Sequence, residues 1–252
     1  MDLDKITVGC PLTELTYLKQ MDTRTYSAST IRMVPDKGQH YYFILDKTIF
    51  HPKGGGQPSD IGILRGPDFE AKVKKAIEHN GVVAHWAKMT SGNPTLGSVE
   101  CELNWAHRYV IMKRHSAAHL IDHCLSQTTG ATVHTTDSWL GEESYVGYTG
   151  QPPRSTVLNS VKNLANQMIC TGASITISYL SRENAATLEN APNYARLPDL
   201  EEIRTVQIGG CAPIPCGGTH VSNLSQIGQL SLLAAVRSSK QGFRLYFVIE
   251  TP

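Results

Sequence analysis

Residues 104–124 read NWAHRYVIMKRHSAAHLIDHC. Trp105, Tyr109, Met112, Ser116, His119, Leu120 and His123 fall on one helical stripe, which predicts a helix from Trp105 to near Gly130. Upstream the pattern is different. HYYFILDKTIF (40–50), FEAKVKKAIEHN (69–80), GVVAHWAK (81–88) and GSVECELNW (97–105) are short β-rich runs separated by glycine, proline and asparagine, so residues 24–104 are expected to form a small barrel or sandwich. Downstream, Val157, Val161, Leu164 and Met168 predict a second helix over 156–170. SITISYL (174–180), IRTVQIG (203–209), QLSLLAAVRSS (229–239) and FRLYFVIE (243–250) read as strands, the last two joined by a turn at KQG (240–242). The change of period near residue 106 divides the chain into a β domain, 1–105, and an α+β domain, 106–252.

A chain of 252 residues with 40% apolar content can bury a core in each domain. Lys and Arg number 23 against 22 Asp and Glu, so no global excess of charge marks a polyanion-binding protein, and only a local patch would serve. The opening MDLDKITVGCPLTELTYLKQ lacks the basic and apolar regions of a signal peptide, and no window reaches the ~18 uninterrupted apolar residues of a membrane span. A soluble cytoplasmic protein with no membrane partner is expected. Cys10, Cys101, Cys124, Cys170, Cys211 and Cys216 are scattered over the chain, which suits reduced thiols better than a disulfide framework.

The stretch quoted first also sets His115, His119 and His123 four residues apart on one helical face. That spacing suits a metal site, and equally a plain helical face that carries histidines. A second motif lies in the loop GCAPIPCGGTH (210–220), where Cys216 and His220 flank Gly217 and Gly218, whose backbone can fold back tightly. Two imidazoles from a helix with a thiolate and an imidazole from a loop form a donor set suited to tetrahedral zinc, and better to zinc than to calcium or magnesium. His123 would lie about 12 Å along the helix axis from His115, too far to share one ion, and is expected to be a polar neighbour of the site. A third motif is FHPKGGGQPSDIG (50–62). Its three glycines carry no bulk, so backbone N–H groups can approach a ligand, and Gln57 adds an amide that donates and accepts. The spacing fits neither a Walker loop nor a dinucleotide fingerprint, and the plain alternative is a tight turn between strands.

Taken in order, GGGQPSDIG (54–62), NWAHRYVIMKRHSAAHL (104–120), CGGTHV (216–221) and SQIGQL (225–230) resemble the editing region of alanyl-tRNA synthetases and their freestanding relatives, the AlaX trans-editing proteins. The resemblance covers about residues 24–250. It implies an α+β protein in which a small N-terminal β-barrel packs against an editing domain of the threonyl/alanyl-tRNA synthetase type. It also implies zinc held by His115, His119, Cys216 and His220, with Gly54, Gly55, Gly56 and Gln57 lining the editing cleft from the barrel side, opposite the metal. The length fits the medium class of these proteins, without an aminoacylation domain, so the chain is not expected to charge tRNA. Two departures stand out. Relatives carry His-Val-x-Gln after the first metal motif, whereas ATVHTTDSW (131–139) has Thr135 at the glutamine position. Cys211 stands where the synthetases have a residue that binds no metal, and is an alternative ligand.

The implied reaction is hydrolysis of the ester that joins an amino acid to the 3′-terminal ribose of tRNA(Ala). The mischarged amino acid is chiefly serine, and glycine second, removed by a double sieve. Positioning a water and stabilising an oxyanion are the main tasks, with Gln57 and Thr135 as candidate contacts to the reacting substrate. Two other classes stay open: a tRNA-binding module that has lost turnover, and a zinc-dependent hydrolase of another ester or amide. Arg237, Lys240 and Arg244 are candidate phosphate contacts, against the alternative of a solvated hairpin face.

Overall fold

The computed structural model describes residues 2–188, 200–238 and 242–250. The chain separates into two compact units, one of Met1–Gly54 with Pro58–Val110 and one of Gly55–Gln57 with Ile111–Pro252.

The first unit holds α1 (Leu3–Thr7), β1 (Glu14–Leu15), β2 (Thr25–Pro35), β3 (His40–Leu45), β4 (Lys47–Thr48), β5 (Gly62–Arg65), β6 (Phe69–His79), β7 (Val82–Gly92), β8 (Gly97–Leu103) and the start of α2 (Trp105–Thr129). Six antiparallel strands close a barrel in the order β2-β3-β7-β6-β5-β8. Phe43, Leu45, Phe50, Leu64, Phe69, Val73, Val83 and Val99 fill it. Strand β6 shows how the sequence does this. Phe69, Ala71 and Val73 alternate inward, a bulge after Val73 inserts one residue, and Ala76 then takes up the inward face that strict alternation would have denied it. The unbroken apolar run of β3 has a matching cause, because Ile44 and Ala84 on the barrel's outer side are covered by Ile6 of α1.

Inside the barrel His85 is fully buried. Its Nδ1 lies 3.0 Å from the Phe43 carbonyl and its Nε2 2.8 Å from Thr48 Oγ1, a pair of bonds that a neutral ring satisfies by donating to the first and accepting from the second. Burial pushes its pKa down to about 4. The base of the glycine-rich loop is equally well held. Asp60 N donates to the His51 carbonyl at 2.9 Å and His51 N to Asp60 Oδ2 at 2.6 Å. Arg108, buried in the first turns of α2, grips the same carboxylate and also donates to the carbonyls of Ile49 and Met21. Arg108 ties the start of α2 to the barrel, so the units part at Val110 and Ile111 inside the helix, not at the change of period at 105 and 106.

The second unit continues α2 and adds β9 (Thr135–Trp139), β10 (Tyr145–Thr149), α3 (Ser155–Thr171), β11 (Ile175–Ser181), α4 (Arg182–Ala186), β12 (Glu202–Ile208), β13 (Ile214–Pro215), β14 (Gln229–Ser238) and β15 (Gly242–Glu250). One antiparallel sheet runs β14-β15-β10-β9 and a smaller one β11-β12-β13. From Ile111 to Ile121 α2 is buried almost all round, and it stops before Gly130, whose φ of +67° suits a residue without Cβ. Helix α3 buries Val161, Ala165 and Ile169, so its inner face is turned slightly from the expected one and Leu164 and Met168 are only half-buried. Asn166 clips the helix to β14 through paired bonds of 2.8 and 2.9 Å to the Leu230 backbone. The hairpin β9–β10 was not announced by its pattern, because TTDSW is exposed and polar along most of its length. Lys240 and Gln241 of the expected KQG turn lie outside the described residues. Among the described residues no helix is long and apolar enough to cross a membrane.

Candidate metal centre

Helix α2 carries His115 and His119 one turn apart, and the loop after β13 brings Cys216 and His220 to them. One ligand-type atom from each of the four lies within 4.8 Å of all the others. The loop is placed by β12: Cys216 N donates to the Arg204 carbonyl at 3.1 Å, and the Arg204 guanidinium returns a 2.5 Å bond to the Cys216 carbonyl. Gly218 is required by space. A Cβ there would collide with the His115 ring, whereas one at Gly217 would meet nothing.

Hydrogen bonds orient the rings. His115 Nδ1 lies 2.9 Å from Gln57 Oε1, an oxygen that also accepts from Thr219 N at 3.0 Å, so the Nδ1 proton points at Gln57 and the Nε2 lone pair at Cys216 Sγ, 3.5 Å away. His220 Nε2 is 3.3 Å from the same sulfur, and its Nδ1 is 3.3 Å from Ser116 Oγ, which in turn accepts from Val221 N. His119 Nε2 is buried with no hydrogen-bond partner among the described residues. Burial holds its pKa at about 4, so the ring is neutral with a lone pair to give. Burial raises the Cys216 thiol, while the Gly218 N–H and the nearby Arg204 charge act the other way. An unpartnered buried nitrogen among three convergent donors fits a metal ion, which would supply the missing partner and draw the proton from the thiol.

The glycine-rich motif divides. Gly54 belongs to the barrel unit, while Gly55–Gln57 belong to the unit that carries the cluster. Both sides of the expected cleft, the glycine tip and the metal donors, are therefore in one unit. Gly56 is the tight glycine: its φ is +80°, its carbonyl accepts from Leu140 N at 3.0 Å, and a Cβ would collide with Ser138. Gln57 is fully buried. Its oxygen serves His115 and Thr219 N, and its NH2 donates to Thr219 Oγ1 at 2.9 Å, so the amide holds the ring and loop instead of lining an open cleft.

Thr135 is exposed at the start of β9, and its hydroxyl bonds to Asp122. Sequence reading passed over Asp122, although His115, His119 and Asp122 recur at i, i+4 and i+7 on α2, the signal that would have found it. Cys211 is buried, its thiol pushed up to about 11 by burial, and it does not join the cluster; nor does His123. Of the three candidate phosphate contacts, Arg244 is taken up by Asp137 at 2.8 Å and stacks over Tyr145, Arg237 is exposed, and Lys240 lies outside the described residues.

Residues 16–107 match the class II (A) tRNA synthetases, and residues 203–246 match the threonyl and alanyl tRNA synthetase second additional domain. Over most of its length the chain is 29% identical, across 251 aligned residues, to alanyl-tRNA editing protein AlaX-M of Methanosarcina acetivorans, covering 94% of this chain and 99% of that protein. It is 29% identical over 238 residues to alanyl-tRNA editing protein AlaX-L of Pyrococcus horikoshii, covering 92% of this chain and 55% of that protein. To the alanine–tRNA ligase of Methanococcus vannielii it is 32% identical over 235 residues, 90% of this chain and 25% of the ligase. The chain thus spans about half of the AlaX-L protein and a quarter of the ligase. It is similar over most of its length to AlaX editing proteins and to part of alanine–tRNA ligases.

Proposed function

We propose that the protein hydrolyses mischarged aminoacyl-tRNA(Ala) in trans, releasing chiefly serine, and glycine as well, with zinc held by His115, His119, Cys216 and His220. The observation that carries this reading is the bond from His115 Nδ1 to Gln57 Oε1 in the glycine-rich tip. It joins two of the motifs shared with editing proteins into one piece of structure around the four donors. Donors around tetrahedral zinc stand roughly 3.3–3.8 Å apart, and the Cys216 separations of 3.3 and 3.5 Å match that spacing. Bound there, zinc would anchor or polarise the substrate, or serve to hold the loop on the helix.

The protein's own groups have separable tasks. The Gln57 oxygen fixes the proton of His115 on Nδ1, and Ser116 Oγ is placed to accept one from His220 Nδ1, an arrangement that leaves both Nε2 atoms as donors to the metal. Gly56 lets the tip lie close against Ser138 at the end of β9. Thr135, exposed on the same strand, offers a hydroxyl to the amino acid. An aminoacyl ester is an activated bond, so no strong nucleophile is required, and orienting the ester and a water carries most of the task.

The test is deacylation of seryl-tRNA(Ala) and glycyl-tRNA(Ala), with seryl-tRNA(Ser) and a simple aryl ester as comparisons. Release from the tRNA(Ala) esters alone is the expected result. Release from the aryl ester alone would assign the site to another hydrolase, and release from none would leave a tRNA-binding module.

A further inference from the structure

The half-buried side chain of Asp122 has no part in the four-donor cluster. It lies on the α2 face that carries His115 and His119, about 4.5 Å along the helix axis beyond His119. Two hydroxyls reach it. Tyr148 OH, buried in the sheet, donates to Asp122 Oδ1 at 2.6 Å, and Thr135, exposed on β9, bonds to the same side chain. Thr135 and Tyr148 face one another across the β9–β10 pair, so the carboxylate sits beneath a cross-strand pair with one partner inside and one at the surface. Burial raises the Asp122 carboxyl to about 7, and the bonds from Tyr148 and Thr135 act against that rise.

An ionised carboxylate only accepts hydrogen bonds. Both hydroxyl protons must therefore point toward Asp122, and what Thr135 Oγ1 presents outward is its lone pairs. A hydroxyl with its proton committed cannot donate to an ester carbonyl, but it is set up to accept from an incoming O–H. We propose that Asp122 is a positioning residue that fixes Thr135 as a hydrogen-bond acceptor, so that the site selects an amino acid bearing a side-chain hydroxyl over one with none. This rests on the editing reading and adds to it the residue pair that would set its order of preference, serine ahead of glycine. Glycine offers no donor to satisfy Thr135 Oγ1, whereas serine offers one at the end of a single methylene.

The experiment measures kcat/KM for seryl-tRNA(Ala) and glycyl-tRNA(Ala) at about pH 8, where the carboxyl is ionised, with metal content and Tm recorded for each variant. Asp122→Asn keeps the shape but offers an N–H to Thr135, and Thr135→Val deletes the hydroxyl. Each is expected to lower the serine-to-glycine ratio about tenfold or more. Thr135→Ser should keep the ratio within about twofold, and the double variant Asp122→Asn/Thr135→Val should match Thr135→Val alone, since Asp122 acts through Thr135. Asp122 as a mere tie between helix and sheet would give a lower Tm with equal losses on both substrates and an unchanged ratio. That outcome, or additive losses in the double variant, overturns the proposal while leaving editing in place. A wild-type protein that cleaves neither ester overturns the editing reading itself and this inference with it.

Discussion

At the scale of single residues, the centre depends on atoms that bind no metal themselves. Gln57→Ala would strip His115 Nδ1 and the Thr219 N–H of a shared acceptor in a fully buried place. A loss of about 1–3 kcal/mol in stability is expected, together with a ten- to hundredfold weaker hold on zinc, read by competition with a chromophoric chelator. Cysteine replacements separate ligand from bystander. Cys216→Ala should lower both zinc content and Tm, because ligand loss is coupled to folding of the loop. Cys211→Ala should leave zinc content unchanged, since Cys211 stands apart from the cluster. Zinc loss in the Cys211 variant, with retention in the Cys216 variant, would reverse the assignment.

At the scale of elements, β9 is held at both ends by groups the site needs: Thr135 to Asp122 at its start, and Leu140 N to the Gly56 carbonyl just past its end. The three glycines of the tip should therefore differ sharply. Gly54 has neither a positive φ nor a neighbour that a Cβ would meet, Gly55 has a φ of +55° in open space, and Gly56 has both a φ of +80° and Ser138 in the way. Alanine at 54 should be close to neutral and at 55 should cost roughly 1 kcal/mol, from the left-handed backbone alone. At 56 it should displace the tip and cut deacylation most. Equal effects at 54 and 56, measured as kcat/KM and Tm side by side, would contradict this account of the loop. Zinc content in the Gly55 variant should stay at the wild-type level, since none of the four donors is touched.

At the scale of the whole molecule, the two units answer to pH through different groups. His85 has its pKa depressed in the barrel, from 6.5 to about 4, so the unfolded chain binds a proton there that the folded one refuses. Its contribution is fully present above about pH 6.5 and is lost as pH falls toward about 4, a change of roughly 3 kcal/mol. Asp122 in the second unit has the opposite sign, since a raised carboxyl binds its proton more readily when folded and loses stability as pH rises toward about 7. Urea unfolding at pH 7 and at pH 4.5 should show a much shallower acid loss of barrel stability in His85→Gln than in the wild type. An identical loss in both would remove His85 as the cause. The sequence alone carried the change of period at Trp105, the order of strand-rich and mixed halves, and the His-x-x-x-His and Cys-x-x-x-His pairs, because these are local and short-range spacing reports them. It carried neither the division inside α2, which the buried Arg108–Asp60 pair decides, nor the inward turn of Gln57, which meets Thr219 from 162 positions away. Which hydroxyl faces a carboxylate, and which glycine has no room for a methyl group, depend on contacts between segments distant in the chain. Only the folded backbone brings those segments together.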